Sequence, residues 1–375
     1  MHQALRNALF SGQLRPLNTA LALFAALCLG LGAQAESISD SDRGVIGMVT
    51  GSQSGTYIKV GQDIANVVKN YGVEVDVKDS EGSLKNILRM ASKENAGFGI
   101  VQSDVISYLR FSGEPENKKL ADRLRLMAPL YKEEVHIFAR KNIQSLKDLD
   151  GKRVAVGSEG GGSWLTAVTL FDYAQIKPII EYTAKGDAAQ GVLQGDLDAM
   201  IFVAGKPVSF FEGLGKLKPH YPEQFANVHF LEINPDSFTK KLPYVKSSIG
   251  PEDYPWLDTS VSTAAVKALL VAFDFSQPIN TYYTQRCAQF ARVGQALREN
   301  IGQLKQTGHA KWQEVDLNAD VGDWPRDSCT WKKSSGGLGQ SKGTPVGGKS
   351  NANDPCADIQ DLMRRNICRI EHGQE

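Results

Sequence analysis

At 375 residues the chain is too long for one ordinary core, which predicts two or three domains. Its 42 basic and 42 acidic side chains cancel, which excludes the basic face that nucleic-acid binding demands. Hydrophobic (42%) and charged (22%) fractions are those of a soluble globular protein.

The first elements are a targeting segment. Arg6 and Arg15 precede an apolar run, Thr19 to Leu31, too short to span a bilayer comfortably, and Ala33-Gln34-Ala35 places small residues where a signal peptidase reads. Residues 1–35 are expected to be a signal peptide cleaved near Ala35. Export changes how Cys287, Cys329, Cys356 and Cys368 are read, because an even number of cysteines in an oxidising compartment favours disulfides. Neither a C-x-x-C pair nor a histidine cluster is present, so no metal site is expected. Three pairings are open, and the most local, Cys287–Cys329 with Cys356–Cys368, is the expectation.

Val45–Val49 reads as a buried strand running into Gly51-Ser52-Gln53-Ser54-Gly55-Thr56-Tyr57. A helix Ile58–Tyr71 follows, with Val60, Ile64, Val67, Val68 and Tyr71 on one face. Such a junction aims several backbone N–H groups at one spot, where the helix dipole adds positive charge, so a small anion can sit there without an arginine. Val73–Val77 reads as a second strand, Ser83 as the N-cap of a helix through Leu84, Ile87, Leu88 and Ala91, and Gly97–Val101 as a third strand. After it, Gln102-Ser103-Asp104 is expected to cap the next helix through Ser103 or Asp104. Strands alternating with helices imply βαβ units and a parallel sheet.

Met127–Arg140 is apolar and extended and reads as a crossover, in which His136 is a satisfied core or hinge histidine. A second unit repeats the first: a strand Arg153–Val156, a Gly/Ser loop Gly157–Ser163, and a helix through Trp164, Leu165, Val168 and Phe171. A strand Ile179–Tyr182, a helix Asp187–Gln194 and a strand Met200–Val203 ending in Ala204-Gly205 complete it. Two α/β units that each offer a helix N-terminus suit a cleft closing on a ligand. Lys206 beside that mouth reads as a surface lysine, with pairing to a second ligand carboxylate as the alternative. A returning crossover is expected near Leu242–Ile249, with a helix-rich stretch Ser260–Gln306 completing the first lobe. Residues 332–353 read as a flexible linker and 354–375 as a short Cys-stapled C-terminal helix. No Gly-x-Ser-x-Gly elbow, His-Glu-x-x-His helix or P-loop lysine motif is present, so the chain does not read as an enzyme.

An ordered series of motifs runs through residues 45–320. It comprises Thr50-Gly51-Ser52-x-x-Gly55-x-Tyr57, Gly99-Ile100-Val101-Gln102-Ser103-Asp104 and Leu130-Tyr131-x-Glu133-x-Val135-His136-Ile137. Leu146-Lys147-Asp148-Leu149-x-Gly151-Lys152-Arg153-Val154, Asp196-x-Asp198-Ala199, Val203-Ala204-Gly205-x-Pro207, Tyr254-Pro255 and Thr263-Ala264-Ala265-Val266-x-Ala268-Leu269-Leu270-Val271 complete it. This series resembles the TAXI family, extracytoplasmic solute receptors of one branch of TRAP transporters. The resemblance implies an α/β, type II periplasmic-binding-protein fold, with residues 45–135 and 245–325 as lobe 1, residues 140–243 as lobe 2 and the ligand in the cleft between them. It implies a periplasmic receptor for a small carboxylate such as glutamate, glutamine or 2-oxoglutarate, delivering to a TRAP-type permease, with a ligand-sensing receptor as the alternative. The implied partners are that ligand and that permease; no cofactor and no nucleic acid is implied, and the chain is expected to be a monomer. The ligand-binding residues it suggests are Gly51, Ser52, Ser54, Gly55, Thr56 and Tyr57 from the first loop and Gln102, Ser103 and Asp104 from the third strand's end. Gly160, Gly161, Gly162, Ser163 and Trp164 come from the second loop, with Val203, Ala204 and Gly205 opposite.

Overall fold

The computed structural model describes residues 44–331 except 54, 93, 113, 235 and 237–243. The expected signal peptide, linker, C-terminal helix and Cys356–Cys368 pair lie outside the described residues, as does Ser54. The apolar run after Gly44 becomes strand β1 (Ile46–Val49), buried throughout. Helix α1 (Thr56–Lys69), β2 (Val75–Lys78), α2 (Ser83–Ala91) and β3 (Ala96–Gln102) follow, and β1 pairs in parallel with both β2 and β3. Two short helices, α3 (Val105–Phe111) and α4 (Pro115–Arg123), lead into the 17-residue strand β4 (Leu124–Arg140).

The second unit repeats this order in β5 (Arg153–Ala155), α5 (Gly162–Ala174), β6 (Ile179–Glu181), α6 (Lys185–Gln194) and β7 (Ala199–Ala204). Here β5 is the strand with parallel partners on both sides, β6 and β7. Helices α7 (Ser209–Gly215) and α8 (Pro222–Ala226) precede β8 (Val228–Phe230), β9 (Val245–Ile249), β10 (Val261–Phe273) and the long helix α9 (Thr281–Thr307).

The strand order is β2-β1-β3-β10-β4-β7-β5-β6, with β8 on β4 and β9 on β10. The two middle strands join the halves. Strand β10 is antiparallel to β3 and β4, and β4 is antiparallel to β7. Each half is thus three parallel strands closed by one antiparallel strand. This is a mixed α/β fold of the type II periplasmic-binding-protein kind.

Two expectations are corrected here. The returning crossover is β10, not Leu242–Ile249, where β9 forms an antiparallel pair with the first five residues of β10. The stretch from Ser260 is accordingly strand before it is helix. Val261–Phe273 is rich in Ala and Leu, which favour helices in isolation, yet Ala264–Val266 and Ala268–Ala272 are fully buried between neighbouring strands, so packing overrides propensity.

Alternation along β4 and β7 divides the second half's core into two faces. Val135, Ile137, Ala139, Ala199, Ile201 and Val203 pack with α5 residues Ala167, Leu170 and Phe171. Phe138 and Met200 point the other way, against Ala188, Ala189 and Val192 of α6 and Phe211 of α7. The first half has one large core, built on β1, β3 and α1, to which α9 contributes Phe290, Val293 and Leu297. Cys287 of α9 is disulfide-bonded to Cys329, as the local pairing anticipated.

Candidate functional site

Four helices begin at the rim of one cavity. The N-caps of α1, α2, α5 and α6 are Gly55, Gly82, Gly161 and Ala184, and none of the four receives a side-chain cap bond. Three are glycines, which have no side-chain acceptor to offer. The first-turn N–H groups therefore have no side chain from the N-cap bonded to them, and each helix dipole adds positive potential. The cavity holds about 380 Å³ and takes lining from both halves of the sheet. Gly51, Ser52, Gly55, Thr56 and Tyr57 line it from the first half, with Gln102 from the end of β3. Gly161, Gly162, Ser163, Trp164, Val203 and Ala204 line it from the second.

Four anticipated residues lie outside that lining. Gly160 has φ +78°, in the left-handed region, and its carbonyl accepts from Lys85 N–H at 3.3 Å. Ser103 is tied into the sheet: its N–H donates to the Lys267 carbonyl, its hydroxyl accepts from Lys267 N–H, and its carbonyl accepts from Trp324 Nε1. Gly205 packs where a Cβ would come 2.6 Å from the Lys311 side chain. Asp104 is 2% exposed and accepts 3.0 Å hydrogen bonds from Thr166 Oγ1 and from the Tyr244 hydroxyl. Burial pushes its carboxyl up to about 6, against the two hydroxyl donors that hold it down.

The structure also revises three local roles. Asp104 is the N-cap residue of α3, one of the two expected, but its side chain makes no cap bond. Ser83 is the first residue of α2 rather than its cap, with φ +37°, and its hydroxyl donates to Gln102 Oε1 and accepts from Gln102 N–H, both at 3.3 Å. Lys206 is neither a free surface lysine nor a cavity residue: it is paired to Asp253 at 2.9 Å and donates to the Ser248 carbonyl.

The glycines of the second loop have a packing reason besides N–H donation. A Cβ on Gly162 would come 2.7 Å from Gln102 Oε1, and one on Gly161 would come 3.2 Å from the Glu81 carbonyl. The two halves meet here. Tyr108 and Trp164 form an edge-to-face pair at 5.7 Å beside the same contact. Ser163 accepts from Val203 N–H at 3.0 Å, fixing the start of α5 to the end of β7.

Sequence reasoning assigned no role to the three charged groups in the cavity lining, Glu81, Glu133 and Lys185. Glu133 on β4 lines it, is 3% exposed, and accepts the Tyr57 hydroxyl at 2.7 Å. Burial is the main reason its carboxyl is pushed up to about 8, although the Tyr57 bond works the other way. Tyr57 itself is raised well above its ordinary value by burial and then by Glu133. Its ring faces the cavity, but its hydroxyl proton is committed to Glu133. Lys185, in the first turn of α6, is the only basic side chain in the lining among the described residues. Its ammonium lies 5.6 Å from the Phe202 ring centroid and 5.8 Å from that of Phe210, and burial lowers its pKa. A glutamate between charged neighbours on a strand, and a lysine at the start of a helix, read in sequence as solvated surface. The first is buried once β4 is paired with β10 and α1 brings Tyr57 onto it.

Among the described residues, no group of three or more His, Cys, Asp or Glu side chains is placed to hold a metal ion, and no helix is long and apolar enough to cross a membrane. The arrangement suits reversible capture of a small anion by N–H donors, hydroxyls and one cation.

Similar folds occur among solved structures at low identity. The periplasmic sulfonate-binding protein SsuA of a putative sulfonate ABC transporter from Methylobacillus flagellatus KT is 14% identical, covering 70% of this chain and 69% of that one, with TM-score 0.42. The GluR0 ligand-binding core from Nostoc punctiforme in complex with L-glutamate is 16% identical over 72% and 95% of the two chains, with TM-score 0.39. MatC from Rhodopseudomonas palustris with bound malate is 15% identical over 73% and 90%, with TM-score 0.41. Residues 48–283, well over half of the chain, match the NMT1-like family, and the chain belongs to that family.

Proposed function

We propose that this protein is an exported, periplasmic solute receptor whose two lobes, residues 45–135 with 245–325 and residues 140–243, close on a small carboxylate without a catalytic step. Glutamate, glutamine and 2-oxoglutarate are the candidate ligands, and a TRAP-type permease driven by an ion gradient is the candidate recipient. The observation that carries the reading is the convergence of four helix N-termini, none with a side-chain cap bond, on one cavity about 380 Å³ in volume. That size falls within the ordinary range of small-molecule sites. Gly51, Ser52, Gly55, Thr56, Gly161, Gly162 and Ser163 would supply backbone and hydroxyl donors, and Lys185 the countercharge. Each charge-assisted hydrogen bond would contribute roughly 1.5–3 kcal/mol. A ligand bound only between closed lobes shifts the open–closed equilibrium, which a membrane partner reads.

Thermal-shift measurements with glutamate, glutamine, 2-oxoglutarate and C4-dicarboxylates test the ligand class. At least one is expected to raise the melting temperature at submillimolar concentration, and native mass spectrometry of the purified protein is expected to show a retained mass of the same class. No shift with any of them would overturn the reading.

A further inference from the structure

We propose that Glu133, seated against Tyr57 in the cavity floor, takes the ammonium of the ligand, so that the receptor selects an α-amino acid over the keto acid of the same skeleton and releases a proton when it binds. This rests on the receptor reading above and goes beyond it by assigning the second pole of the ligand. The cavity offers two kinds of polar surface. One, made by helix N-termini and Lys185, suits a carboxylate. The other is a carboxyl group, which a purely anionic ligand would leave without a cation to pair with.

Glu133 has the geometry of an unfilled half of a pair. One oxygen accepts the Tyr57 hydroxyl at 2.7 Å, and the residue lines the cavity. Among the described residues no cationic side chain pairs with it. The nearby Lys311 ammonium is spent on Glu314 at 2.6 Å and on Glu134 at 3.4 Å. The groups acting on Glu133 come from several elements around it: Tyr57 on α1, Asp104 before α3, Tyr131 and Glu134 on β4, and Lys311 on the turn Ala310–Glu314. Burial, Asp104 and Glu134 disfavour its anion, while Tyr57 and Lys311 favour it. With its pKa pushed up to about 8, Glu133 is mostly protonated at pH 7. An arriving ammonium supplies the missing charge. The carboxyl proton then leaves to solvent, and the carboxylate accepts from the ammonium, so charge and atoms balance in the step. A keto acid brings no such cation and leaves the proton in place.

The experiment is isothermal titration calorimetry of the full-length mature protein with glutamate, glutamine and 2-oxoglutarate at pH 7, in buffers of differing ionisation enthalpy. Expected are release of close to one proton on amino-acid binding and none with 2-oxoglutarate. Glu133→Gln should weaken the amino acids roughly 30-fold or more and abolish the proton release, with little effect on any keto-acid binding. Tyr57→Phe, which leaves the carboxyl in place without its phenol, should keep the proton release close to one and weaken the amino acids more modestly, so the test survives a misfolded Glu133 variant. Equal affinity for glutamate and 2-oxoglutarate with no proton release would overturn this inference and leave the receptor reading standing. Proton uptake with tighter 2-oxoglutarate binding would overturn it too, by making Glu133 a neutral donor. Binding of none of the three would overturn both.

Discussion

The protonation state of His136 is set by a chain of donors. Tyr254 accepts from Val208 N–H at 3.0 Å, so its hydroxyl proton goes to His136 Nε2 at 2.8 Å, which leaves Nδ1–H to donate to the Glu134 carbonyl at 2.9 Å. The ring stacks on Phe211 at 5.0 Å and is fully buried. Burial lowers its pKa to about 3. In the unfolded chain it titrates near 6.5, so between those values unfolding takes up a proton. The contribution is complete above pH 6.5 and falls as pH drops toward 3, by up to roughly 1.4 kcal/mol per pH unit. Asp104 works oppositely: its raised pKa of about 6 means that its contribution is lost as pH rises toward that value. Urea unfolding between pH 6.5 and 4.5 separates the two. His136→Asn should be less stable at pH 6.5 and should gain stability relative to the wild type as the pH falls to 4.5, because it lacks the group that loses stability on acidification while Asp104 and Glu133, both raised, still gain it; parallel slopes would contradict the assignment. The apolar run Val135–Ile137 already pointed to a core histidine. The same reasoning missed Glu133, whose neighbours in Lys132-Glu133-Glu134 look like solvated surface until β10 and β7 cover the strand.

At the scale of elements, the start of α5 is where the two halves touch. Its glycines let the Gln102 amide and the Glu81 carbonyl of the other half come within 2.7 Å and 3.2 Å of where a Cβ would stand, so a side chain there must displace them. Gly162→Val is therefore expected to hold the halves apart and weaken ligand binding roughly tenfold or more. The far-UV spectrum and the ligand-free melting temperature should change little, because the clash arises only on approach of Gln102. An unchanged affinity would show that the contact is not part of the binding state. Helix periodicity made α1, α5 and α6 legible within a few residues of their ends. Strand β10 was not legible, since its Ala- and Leu-rich run has a helix-like composition and its extended form is imposed by pairing with β3, β4 and β9.

For the molecule as a whole, the disulfide ties α9 to the segment that follows the turn Ala310–Glu314. Cys287 and Cys329 are 42 residues apart, and a loop of that length corresponds to about 4 kcal/mol in the chain-entropy account. Arg298 adds a 2.8 Å bond to the Thr330 carbonyl beside it. The bridge lies away from the cavity lining. Replacing both cysteines with serine should thus lower the midpoint of chemical unfolding without changing ligand affinity. A matching fall in affinity would mean that this segment also sets the closed arrangement.

The sequence by itself determined the α/β units, their repetition and the two Gly/Ser loops, because hydrophobic period and glycine placement are local properties. The local Cys287–Cys329 pairing was legible for a similar reason: it closes the shortest of the loops those cysteines allow through Cys287. Which residues share the cavity was decided only by tertiary structure. Lys206 was taken by Asp253, Asp104 was buried against Thr166 and Tyr244, and Glu133 and Lys185 were brought to the lining. The physical reason is that burial and charge pairing depend on strands far apart in sequence, above all the β4–β10 crossing that joins the halves.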